Sequence, residues 1–246
     1  MNRPVRKQLK GDLFIIVGIA AIVGSIGYES YSFFSRITPQ AGVQIVRQSD
    51  VSVFKKPLTV SPKYLQGADW QQDPKAGTAY THWSFICKSE FVMQLDQTKS
   101  KDGAYCFVLR AATVDLELPI TVWLPFGIST KLREHEDGHR QICARIYADA
   151  DKIALDCATK LVGHEFVERA PTIPEAELLA AQQARVMLST SYAERTEAVS
   201  LAVSDLYDKI TNHGMNSITT SSGVDQAFAQ SPTKLTLPQL KEDATE

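Results

Sequence analysis

Histidine is scarce in this chain, with five in 246 residues, so any pair of histidines at a chemically useful spacing stands out. An excess of charge of one sign is also lacking: 26 Lys and Arg stand against 28 Asp and Glu, a formal net charge of −2. Counterion release from nucleic acid needs clustered cations, and none cluster beyond the first ten residues, which argues against a nucleic-acid partner. Cysteine is limited to Cys87, Cys106, Cys143 and Cys157. None has CxxC spacing, which argues against a structural zinc knuckle. Internal repeats are absent and no strict heptad persists, so neither a solenoid nor a long coiled coil is expected. What the chain does have is 44% hydrophobic residues, enough to bury a core and to argue against wholesale disorder.

The N-terminus carries Arg3, Arg6, Lys7 and Lys10 ahead of an apolar run from Leu13 to Tyr28, which Tyr31, Phe33 and Phe34 extend. Cations before an apolar run mark a signal or signal-anchor, and the positive-inside rule places the rest of the chain outside the cytoplasm. Residues 1–35 are thus expected to form an uncleaved anchor, with 13–34 in the inner membrane and a periplasmic domain beyond. Cleavage near Ser25 to Gly27 would instead release a secreted protein. An even cysteine count outside the cytoplasm permits disulfides. Cys87 and Cys106 lie in strand-like segments that a bridge can join. Cys143 and Cys157 lie 14 residues apart on one expected helix, about 21 Å at its rise, too far to pair unless that helix breaks.

From Gly42 to Trp123 the text is β-like, with β-branched and aromatic runs at Val43–Val46, Val51–Phe54, Tyr80–Cys87, Phe91–Leu95, Tyr105–Ala111 and Thr113–Val122. Lys99 to Gly103 reads as a turn. Ser129 or Thr130 is expected to cap a helix running to about Leu161, with Gly163 as its stop. A loop containing Pro171 leads into a second long helix, from Pro174 to about Asn212, stopped by Gly214. The fold class is α+β: an antiparallel β-rich half, then two long helices. The domain spans 36–218, and 219–246 reads as a disordered tail.

His135-Glu136-Asp137-Gly138-His139 fits H-E-x-x-H at the start of the first helix. Histidines at i and i+4 stand one turn apart on one face, so both imidazoles can bind one zinc ion. Glu136 projects beside them, where it can deprotonate a zinc-held water. Catalytic zinc takes three protein ligands. A metzincin needs a histidine six residues after His139, and Arg145 stands there. The third ligand is left between His164, with Glu165 and Glu168 nearby, and His213. Tyr207 can donate to a developing oxyanion or simply pack. His82, beside Trp83, reads as structural.

His135-Glu136-Asp137-Gly138-His139-Arg140, followed by Tyr207-Asp208-x-x-Thr211-x-His213-Gly214, resembles a bacterial family of predicted secreted zinc-dependent proteases, long carried as a domain of unknown function. The resemblance covers roughly residues 42–218. It implies that His135 and His139 are zinc ligands, that Glu136 is the catalytic base and that His213 is the third ligand. It also implies a peptide or protein substrate. The expectation is therefore a membrane-anchored, outward-facing zinc metallopeptidase. The alternatives are a non-catalytic envelope module keeping a zincin-like fold, and an amidase acting on cell-wall peptides.

Overall fold

The computed structural model describes residues 42–65 and 79–231. The expected anchor at 13–34 lies outside the described residues. Among the described residues no helix is long and apolar enough to cross a membrane.

The β-rich half forms two sheets. The larger holds β1 (Gln44–Gln48), β2 (Val51–Lys55), β6 (Ala104–Glu117) and β5 (Ile86–Lys101) in that spatial order, and β8 (Glu165–Arg169) pairs with the first part of β6. The smaller holds β3 (Thr59–Leu65), β7 (Pro119–Pro125) and β4 (Tyr80–Trp83), with β7 in the middle. β5 and β6 form a long hairpin closed at Asp102-Gly103, both at positive φ (52° and 73°), as a type I′ turn requires. Along β6, Ala112, Val114 and Leu116 are buried at every second position, the period of a strand with one face on a core.

The expectation of an antiparallel half needs correcting. β2 runs parallel to β6, and β3 parallel to β7. Each parallel pair joins strands that are not neighbours in sequence, so local hairpin signals do not reveal it.

The helices also differ from the expected pair. Ser129 caps α1 (Thr130–Ala148), its side chain accepting from the Leu132 N–H. The helix breaks at Asp149 (φ −104°, ψ 11°), and α2 (Ala150–Thr159) follows. Lys55, reaching from β2, donates to the Ala148 carbonyl and to Asp151, stabilising that break. Thr172 caps α3 (Ile173–Arg195), with Pro174 in its first turn. A second break falls at Thr196, whose buried hydroxyl donates back to the Tyr192 carbonyl. Beyond it runs α4 (Glu197–Thr211).

The tail expected from residue 219 begins instead with α5 (Thr220–Gln230), capped by Thr219, with Val224 and Ala227 buried. Its apolar stripe is short and its residues small, so periodicity alone does not betray it. Gly223 is needed there: a Cβ at this position would stand 2.8 Å from Thr211 and 2.9 Å from Tyr207. Residues 232–246 lie outside the described residues.

α2 and α3 pack on the larger sheet, while α1 packs against β4 and β7 of the smaller one and against α4 and α5. All four cysteines are free. Cys87 pairs in register with Leu116, and Cys106 with Asp96. The two cysteines thus sit at opposite ends of the β5–β6 hairpin, roughly 34 Å apart at the rise of a strand, so they cannot form the bridge their strand context suggested.

Candidate metal centre

α1 turns His135, Glu136, Gly138 and His139 into the protein. α4 approaches the same face closely. Gly138 allows this, because a Cβ there would lie 2.2 Å from the Tyr207 hydroxyl oxygen. The next residue on α4, Asp208, then reaches both histidines. Its Oδ1 lies 3.1 Å from Nε2 of His135 and 3.1 Å from Nε2 of His139.

These contacts lack hydrogen-bond geometry. Asp208 Oδ1 is buried, yet it has no hydrogen-bond partner among the described residues. Three lone-pair donors therefore face a common point rather than one another. The ligand atoms of His135, His139 and Asp208 all lie within 4.8 Å of one another. Ligands on a tetrahedral ion at zinc-like bond lengths stand about 3.3 Å apart, so the observed 3.1 Å contacts fit such a centre with small adjustment. An aspartate is ionised at neutral pH, as a ligand must be.

The hydrogen bond behind His135 sets its tautomer. The Thr211 hydroxyl donates to the Tyr207 carbonyl at 2.7 Å, and its oxygen lies 3.3 Å from His135 Nδ1. Having one proton, already given to Tyr207, the hydroxyl can only accept from His135. Nδ1 therefore carries the hydrogen, and Nε2 keeps its lone pair for a metal. The Tyr207 ring stacks on His135 at 5.0 Å, and Trp83 stacks on His139 at 6.3 Å, so both imidazoles are held in place by packing. Gly214 closes over His135 from the other side, where a Cβ would stand 2.8 Å from the His135 Cβ.

Glu136 is buried beside the histidines. Thr81 on β4 donates to its Oε2 at 2.8 Å. Burial pushes the Glu136 carboxyl above its ordinary value, the Thr81 hydrogen bond and the two histidines working against that rise. His135, Glu136, His139 and Asp208 line one cleft of about 520 Å³.

Of the residues named from sequence, His135, Glu136 and His139 meet in this cleft. His213 reaches its rim. It is 75% exposed, with Nδ1 3.8 Å from Asp208 Oδ1, beside the converging group rather than within it. His164 leads into β8, where its carbonyl accepts from the Leu109 N–H and its ring packs on Phe166. Glu165 pairs with Lys99, and Glu168 sits in register with Tyr105, so this segment is committed to the larger sheet. Tyr207 is not among the residues lining the cleft; it lines a neighbouring cavity of about 770 Å³, which shares His135, and its ring packs on His135.

Two residues of the site were not singled out from sequence. Asp208 stood in plain view beside Tyr207, as a carboxylate near the end of a helix bearing a histidine. Thr81 has no local signal, because only the tertiary fold brings β4 to α1.

The fold and the site together define an α+β protein with a His-His-Asp group able to hold a metal ion, its histidines buried and its aspartate half-buried, and a buried glutamate beside it. Compared with protein-family models, curated proteins and solved structures, the chain matches none.

Proposed function

We propose that this chain is a zinc-dependent metallohydrolase, acting on peptides or proteins, with His135, His139 and Asp208 as zinc ligands and Glu136 as general base. The observation that carries this reading is the approach of two Nε2 atoms to one unpartnered carboxylate oxygen at 3.1 Å each, in the cleft that also holds Glu136. Two histidines and a carboxylate are a ligand set of catalytic rather than structural zinc sites. When bound, zinc supplies Lewis acidity toward a substrate carbonyl and lowers the pKa of water.

The chain's own groups do the rest. Thr81 holds Oε2 of Glu136, leaving Oε1 to take a proton from the attacking water. The same oxygen returns that proton to the departing amine nitrogen. Burial favours this exchange, because a carboxylate with raised proton affinity is a stronger base. His213, on the rim beside Asp208, is within reach of a swing toward the ion or toward substrate. The basic flank and apolar run of residues 1–35 support an inner-membrane anchor with the domain outside the cytoplasm.

Elemental mass spectrometry on the purified chain tests the reading. The expected result is about one zinc per chain, retained in Glu136→Gln while hydrolysis of a peptide library is lost. Undiminished hydrolysis in Glu136→Gln would remove Glu136 as base. Absence of zinc from the folded wild type would leave the envelope-module reading.

A further inference from the structure

The cleft beside the His-His-Asp group carries apolar side chains among its polar ones. Tyr80 and Trp83 come from β4, Leu132 from α1, Leu201 from α4, and Met215 from the turn after α4. Four separate segments thus bring apolar surface to one place. Met215 is 74% exposed and Leu201 51% exposed. Large apolar side chains left open around a cleft gain hydrophobic free energy only when something apolar covers them.

The charge in the cleft points the same way. Its acidic groups are Glu136, Asp205 and Asp208, and among the described residues no Lys or Arg lines it. A divalent cation would be matched by Asp208 and one further carboxylate, leaving a negative balance. Away from that cation, an anionic side chain or a terminal carboxylate would meet no Lys or Arg among the described residues and would face Asp205.

Resting on the metallohydrolase reading above, we propose that this cleft selects a large apolar side chain next to the scissile bond and rejects an acidic one. The probes are two hydroxamic acids of the same backbone, one bearing an isobutyl group and one a carboxymethyl group. Their binding to the zinc-loaded full chain is measured by calorimetry, so no turnover is needed. The isobutyl compound is expected to bind at least about tenfold tighter, since a few methylenes in an apolar pocket carry that much discrimination. Met215→Asp and Leu201→Asp, both on exposed positions, should each shrink that ratio several-fold while zinc content stays unchanged. Equal binding of the two compounds, or preference for the carboxymethyl one, would overturn apolar selection and leave the metal centre standing. If neither compound binds, or no zinc is loaded, the metallohydrolase reading itself falls and this inference with it.

Discussion

At the scale of single residues, the His-His-Asp group depends on atoms that lie outside it. Thr211 fixes the His135 tautomer through one weak contact, and outer partners of this kind typically set metal affinity. Thr211→Val should therefore weaken zinc binding by about 10–100-fold, read by competition with a chelating dye. Asp208→Ala should lose zinc outright with the helical circular dichroism intact, whereas His164→Ala should keep it. Gly138 makes a different kind of contribution. Gly138→Ala sets a methyl group into the Tyr207 hydroxyl, and overpacking of this kind costs about 1–3 kcal/mol, visible as a lowered Tm. The two motif histidines and Glu136 were legible in the chain because helical geometry alone places i and i+4 together. Thr81 was not, because a threonine in an edge strand looks the same whether or not a buried carboxylate lies beneath it.

At the scale of elements, the strong periodic signals were read well and their interruptions were not. α1 begins where its cap promised, yet the helix ends at Ala148 because Lys55 claims that carbonyl from a distant strand. The break at Thr196 likewise depends on a back-bond visible only in three dimensions. An ion pair reinforces the join between α2 and α3. Asp156 of α2 accepts from Lys160 and from Arg195 of α3. Burial alone would raise the Asp156 carboxyl, and these two cations more than offset it, holding its pKa below the ordinary value of 3.8. A carboxyl depressed in the folded state adds stability above its unfolded value, and loses it as pH falls through the folded one. Asp156→Asn should thus cost about 1 kcal/mol at pH 7 and progressively less below pH 4, read from urea midpoints at both pH values. α5, hidden in what read as a tail, is a working part of the core. Val224→Asp should destabilise the protein strongly, by burying a charge without a partner against α4.

At the scale of the whole molecule, the β-rich half was legible as strands but not as two mixed sheets, since parallel pairing joins segments far apart in sequence. The antiparallel pairing of β4 with β7 is what carries Thr81 to α1. Metal and fold should also be linked. An ion bound by the folded chain and not by the unfolded one stabilises it by about 2.7 kcal/mol at a hundred times its Kd. Adding zinc should accordingly raise the Tm of the wild type and leave that of Asp208→Ala unchanged, as scanning calorimetry would record.

The ligands are split between α1 and α4, with α2, β8 and α3 lying between them in the chain. This separation sets an order of events during synthesis. A growing polypeptide exposes its histidine pair long before the aspartate that completes the set has been made. A stalled or truncated product ending before α4 therefore carries the recognisable motif but cannot assemble the His-His-Asp group, so any ion held there would be taken up only by chains that have been finished and folded.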